Sequence, residues 1–157
     1  MVSSVNDLST AAAGELLAAI SLLRRTTRRA VRRVWQAEPL PPAQSELLRL
    51  AASRPGITVA DAAHELQLAP NTVSTLVGRL TGAGLLRRGR SASDGRTALL
   101  TSTEHGQRRL AAYRDLRAEL AGSALARLSA ADRRALAAAV PALLRLADGM
   151  AAGDRAA

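Results

Sequence analysis

The chain has 157 residues, a formal net charge of +9 and no cysteine. The length suits one domain with a real core, and the charge favours a polyanionic partner. Without thiols, disulfides, thiolate metal sites and thiol redox switches are excluded.

The 22 basic residues are all arginine, and Trp35 and Tyr113 are the only aromatic side chains. The core must therefore be built from Leu, Val and Ala. Stacking on single-stranded nucleic acid, which needs several exposed rings, is disfavoured. The N-terminus lacks a signal-peptide pattern, and no apolar run reaches the roughly 18 residues of a membrane span. The expectation is a soluble, cytoplasmic protein with no membrane partner.

Residues 1–7 read as frayed. From about Ser9 to Gln36 the spacing predicts a long helix, with Leu16, Ile20, Leu23, Thr27, Val31 and Val34 along one stripe. At 1.5 Å per residue it is about 40 Å long, more than a small lobe covers, so part of it is expected to pack on another subunit. Arg24, Arg25, Arg28, Arg29, Arg32 and Arg33 recur at i, i+1, i+4, i+5, i+8 and i+9. Like charges at i, i+4 repel mildly. Such a face is either simply solvated or an anion site, for DNA phosphate or for a carboxylated small molecule.

Glu38-Pro39-Leu40-Pro41-Pro42 breaks the helix. A second helix follows over Pro42 to Ser53, with Leu47, Leu48 and Leu50 toward the core. Arg54-Pro55-Gly56 is a turn, and Ile57 begins a very short strand.

Residues 58–101 organise the rest. Thr58 caps a short helix, and Asp61 three positions on makes a weak capping box. Ala63, Leu66, Leu68, Val73, Leu76, Val77 and Leu80 recur at helical spacing, broken around Gln67 to Ala69. Two short helices crossing steeply share one core, and Ala63 permits the close approach. Pro70 suits the first turn of the second helix. That helix keeps Asn71, Thr72, Ser74, Thr75 and Gly78 off its apolar stripe. Short polar side chains near a helix N-terminus are what reading base edges in a major groove requires. Gly82 and Gly84 end the helix. Leu85-Leu86 and Thr97 to Thr101 read as strands joined by a basic loop with Arg87, Arg88, Arg90 and Arg96, turning at Asp94-Gly95. Beside a helix-turn-helix, this hairpin reads as a wing that grips phosphates and reaches a minor groove.

Thr103 caps a further helix running to about Arg127, with Leu110, Tyr113, Leu116, Leu120, Ala124 and Leu128 as its stripe. Ser129 and Asp132 resemble another capping box and start a last helix to about Asp148. Pro141 is expected to kink or split it. Gly149 to Ala157 reads as a loose tail.

NTVSTLVGRLTGAGLLRR and SASDGRTALLTSTEHG carry a resemblance. With them the chain resembles the multiple antibiotic resistance regulator (MarR) family of winged helix-turn-helix transcription factors. The family's wing has Asp, one residue, Arg, an aliphatic strand ending in Thr, two residues and Gly; here these are Asp94, Arg96, Leu99-Leu100, Thr103 and Gly106. Its helix pattern is met by Val77, Arg79-Leu80, Gly84 and Leu85-Leu86. The resemblance covers about residues 10–148 in element order and is specific over 70–106. Three positions depart from the pattern. Ser102 replaces a usual Leu. Ala69 replaces the usual Ser or Thr cap, at a cost of about 1 kcal/mol of local stability. Thr75 stands where many members carry Arg.

The resemblance implies a mainly α fold with a small β-wing, a winged helix-turn-helix flanked by long N- and C-terminal dimerisation helices. It would be a single domain over 8–148, with 8–37 and 104–148 forming the dimer and 42–102 the DNA-binding lobe. Its partners would be a second copy of the chain and a pseudo-palindromic duplex, bound as a repressor or other transcription regulator. Pro70, Asn71, Thr72, Ser74 and Thr75 would face the major groove. Arg96 would enter the minor groove while Asp94 holds the loop. Arg87, Arg88 and Arg90 would neutralise phosphates, and Arg79 would support the recognition helix or touch phosphate.

Family members often respond to small aromatic or phenolic anions in a cleft between the dimer helices and the lobe. Trp35 with some of Arg24, Arg25, Arg28 and Arg29 would line it here, an arginine fitting a carboxylate bidentately. Nothing calls for a cofactor. His64 and His105 are the only histidines and lie far apart, which argues against a metal site. Catalysis lacks a nucleophile–base arrangement, a phosphate loop or paired carboxylates. Two other readings remain: a sequence-tolerant architectural DNA binder, and a winged helix reused for protein contacts.

Overall fold

The computed structural model describes residues 3–90 and 98–154. In chain order they form α1 (Ser3–Val34), α2 (Pro42–Ser53), β1 (Ile57–Thr58), α3 (Val59–Glu65), α4 (Pro70–Gly82), β2 (Leu86–Arg90), β3 (Ala98–Ser102), α5 (Glu104–Leu125) and α6 (Ala130–Asp154). This is the expected mainly helical architecture with a small antiparallel sheet.

By its packing the chain forms two compact units, Met1–Arg117 and Ala118–Ala157. The core of the first is made by the central elements. Leu47, Leu48 and Ala51 of α2, Ala62 and Ala63 of α3, and Val73, Leu76, Val77 and Leu80 of α4 are buried together with Ile57, Leu85, Leu86 and Leu100 of the sheet region. Each fully buried leucine contributes on the order of 2 kcal/mol. The buried faces of α3 where it meets α4 are alanines, which lets the two short helices approach closely.

The sheet order is β1-β3-β2, antiparallel throughout. Ile57 pairs with Leu100, while Leu86, Arg87, Arg88 and Gly89 pair with Ser102, Thr101, Leu100 and Leu99. Leu86 and Leu100 point into the core, and Arg87 and Arg88 are exposed.

Local chemistry sets the helix boundaries. Asp61 N–H donates to the Thr58 hydroxyl (3.0 Å), which itself donates to the Asp61 carboxylate (2.7 Å), so the capping pair forms. The α3–α4 turn is closed by Leu68 N–H on the Ala63 carbonyl (2.9 Å), with Gln67 at φ 52°.

The junction between α4, the sheet and α5 is tight. Thr103 N–H donates to the Leu85 carbonyl (3.0 Å), the Thr103 hydroxyl donates to the Gly84 carbonyl (2.7 Å), and Gly106 N–H donates to that hydroxyl (3.0 Å). A Cβ at Gly106 would collide with the Leu85 carbonyl oxygen and come within 2.8 Å of Ser102 Oγ. Ser102 is buried at this junction, beside the first turn of α5.

Three sequence expectations are corrected. α1 begins at Ser3, within the stretch read as frayed; no proline interrupts the run, and helix propagates readily once nucleated. Of the two outcomes expected at Pro141, a kink or a split, the split does not occur: α6 runs unbroken through it. Proline removes one i→i−4 bond, and the helical runs on both sides carry the ladder across. α6 also continues to Asp154, past the expected end at Asp148. Gly149 disfavours helix by only about 1 kcal/mol against its alanine-rich neighbours.

In the second unit, Asp132 N–H donates to the Ser129 hydroxyl (3.0 Å), capping α6. Arg133 donates to the carbonyls of Ala126 (3.2 Å) and Leu128 (2.9 Å) after the end of α5. None of the described side chains of α6 is buried. Leu136, Val140, Leu144, Leu146 and Met150 are all exposed, as are Leu16, Leu17, Leu22, Leu23 and Val34 on α1.

Candidate nucleic-acid interface and anion cavity

α4 divides cleanly. Val73, Leu76, Val77 and Leu80 are buried, while Pro70, Asn71, Thr72, Ser74, Thr75 and Arg79 are exposed. All five residues expected to face bases therefore share one solvent-facing surface, because 3.6-residue periodicity leaves 70–72, 74 and 75 off the apolar stripe.

The helix lacks a side-chain cap at Ala69. Asn71 Oδ1 takes up part of that role, accepting from Thr72 N–H at 2.8 Å. The Thr75 hydroxyl donates back to the Asn71 carbonyl (3.1 Å), which leaves its lone pairs outward. The exposed face is short, polar and held against the helix, so it presents both donors and acceptors within a small reach.

β2 brings Arg87 and Arg88 out of the same lobe as exposed side chains. Arg90 ends the strand. Asp94 and Arg96, expected at the wing tip, lie outside the described residues.

A second site lies in the first unit, a cavity of about 430 Å³ between α1, the start of α2 and α5. Trp35 and Tyr113 stand in its wall as a T-shaped pair, ring centroids 5.5 Å apart and planes at 84°. Arg117 sits over the Tyr113 ring, 6.0 Å from its centroid. Arg109 donates to the Glu38 carbonyl, tying α5 to the segment after α1. Of the residues proposed from sequence, Arg24 and Arg28 of α1 and Trp35 just after it line the cavity; Arg25 and Arg29 do not. A helix turns about 100° per residue, so adjacent arginines face different directions.

Sequence reasoning missed Arg49, Arg109, Tyr113 and Arg117 as lining residues. The i, i+4, i+8 row of Arg109, Tyr113 and Arg117 was a signal, though only tertiary packing shows what it faces. His64 and His105 are both exposed, and the described residues contain no group of three or more His, Cys, Asp or Glu that could hold a metal.

An exposed polar helix behind a helical turn, followed by a basic hairpin, defines a winged helix-turn-helix. Residues 38–97 match the model of the MarR family. A MarR family protein from Bacillus stearothermophilus superposes with TM-score 0.73 at 21% identity, over 92% of this chain and 97% of that one. FabT from Streptococcus pneumoniae in complex with DNA gives TM-score 0.66 at 17% identity, over 87% of this chain and 96% of that one. The PcaV transcriptional regulator from Streptomyces coelicolor, in complex with its natural ligand, gives 0.51 at 26% identity, over 87% and 89%. A search of curated proteins returned no match. Over residues 38–97 the chain is thus similar to the MarR family, and its likeness to the solved structures is one of winged-helix fold.

Proposed function

We propose that the protein is a cytoplasmic, dimeric repressor that binds a pseudo-palindromic DNA duplex and is released by a small aromatic anion. The observation that carries this reading is the exposed face of α4. Pro70, Asn71, Thr72, Ser74 and Thr75 stand together over a fully buried apolar stripe, in the lobe that also exposes Arg87 and Arg88. In this reading those five side chains meet base edges. Arg79, Arg87, Arg88 and Arg90 neutralise phosphates, and Arg96 enters the minor groove beside Asp94.

Dimerisation supplies the second half-site. Two recognition helices about 34 Å apart then occupy successive major grooves. The exposed leucines of α1 and α6 support this, since a helix with no buried face is not stabilised by its own packing. The arginine- and aromatic-lined cavity supports the ligand, and the homologue PcaV was solved with one.

The test begins with selection of bound duplexes from a random pool, followed by competition with unrelated DNA. Retention against excess unrelated duplex is the expected result. Equal displacement by any duplex would replace this reading with architectural binding. Absence of binding at low salt would point to a protein partner instead. Titrating salicylate into the complex then tests release.

A further inference from the structure

We infer that the cavity between α1, α2 and α5 selects a planar ligand carrying two or more negative charges, in preference to a singly charged aromatic acid. The inference rests on the reading of this cavity as the ligand site and adds the ligand's charge class.

Arg24, Arg28 and Arg32 form one i, i+4, i+8 row of α1 along the wall. Arg49 enters from α2, and Arg109 and Arg117 from α5. Glu46 is the one carboxylate among the lining residues. The ion pairs among the described residues, Arg54–Glu65, Arg108–Glu104 and Arg114–Asp115, all lie elsewhere. Arg109 is turned to the Glu38 carbonyl, a neutral partner.

Guanidinium groups cannot shed their protons to relieve this crowding. One carboxylate satisfies one guanidinium fork. It leaves the like charges of the other lining guanidiniums, largely exposed to solvent, around a cavity of about 430 Å³, a volume suited to a small organic molecule, and their mild mutual repulsion remains. Further oxyanion groups on the same ligand remove that repulsion and add bidentate hydrogen bonds. Apart from Ser45 the remaining wall is apolar, with Val31, Leu40, Leu110 and the rings of Trp35 and Tyr113. It fits a flat hydrocarbon body and disfavours a bare inorganic ion.

The test is calorimetry on the full chain without DNA, at constant ionic strength. Benzoate, isophthalate, trimesate, phenyl phosphate and inorganic phosphate are the ligands. Isophthalate or phenyl phosphate should bind at least about tenfold more tightly than benzoate, and trimesate tighter than isophthalate. Inorganic phosphate should be weaker than phenyl phosphate, and equal affinity would overturn the planar part of the inference.

Arg28→Gln should cost about tenfold in trimesate affinity, whereas Arg29→Gln, on the adjacent residue outside the lining, should leave it unchanged. Equal losses in both variants would mean diffuse attraction to a basic protein and would overturn the inference. So would benzoate binding as tightly as trimesate.

The outcomes separate the two readings. Tight trimesate binding that leaves DNA bound keeps this inference and removes release by ligand. Release of DNA by salicylate, with no gain from added charge, does the reverse.

Discussion

Asn71 has two uses. Its side-chain oxygen accepts from Thr72 N–H, at the end of a helix whose preceding residue, Ala69, offers no cap. The same residue stands on the exposed face proposed to read bases. Ala69→Ser should therefore raise the denaturant midpoint, with a gain somewhat below the roughly 1 kcal/mol of an unaided cap. Thr58→Ala, which removes the only side-chain acceptor seen for Asp61 N–H, should cost the full amount, about 1 kcal/mol in urea unfolding. At this scale the sequence is legible where partners are local. Thr58 with Asp61, Ser129 with Asp132 and Pro70 at a first turn all depend on residues within three positions. Arg109 and Tyr113 were not legible as cavity residues, because what they face is set by helices distant in sequence. A phosphate role for Arg88 has its own signature: Arg88→Ala should weaken all duplexes about equally and reduce the salt slope of binding by about one. A loss confined to one operator sequence would reassign it to base reading.

Among the elements, the join of α4, sheet and α5 is the least forgiving. Gly106 lies against the Leu85 carbonyl, and Thr103 bridges Gly84 to the first turn of α5. Gly106→Ala must push α5 away from the strand or break the Thr103 bridge. It should destabilise the fold by about 1–3 kcal/mol, read as a lowered midpoint, even though alanine is the better helix former. An unchanged midpoint would show that α5 is free to shift. The helix-turn-helix and hairpin were legible because their periodicity changes from 3.6 to 2 at Gly84 and their turn residues are distinctive. The ends of α1 and α6 were not. Fraying was expected at both ends, but helix propagates outward from a formed ladder without an apolar stripe, and one internal proline did not interrupt it.

Across the whole molecule the weight of apolar surface is misplaced for a lone chain. Leu144 is 62% exposed, Leu23 66% and Met150 59%, in helices far longer than the central lobe. Replacing Leu136 and Leu144 together with Glu should convert a dimer to monomers by sedimentation and lower affinity for a two-half-site duplex far more than for a single half-site. Dimeric behaviour in that variant would move the interface elsewhere. The expectation of a second copy rests on helix length; which leucines lie open could not be read from the sequence, because the same stripe pattern serves a core or an interface.

The placement of Trp35 gives the molecule an optical property. It is the only indole in the chain, and it sits edge-to-face with the only phenol at the wall of the arginine-lined cavity. Emission from the unmodified protein therefore comes from a single position, without contributions to separate. Its wavelength records whether that cavity holds water or a guest, and energy transfer from Tyr113 records whether α1 and α5 remain apposed. Occupancy of the cavity and separation of its walls can be followed independently in one cuvette, with no label attached to the protein.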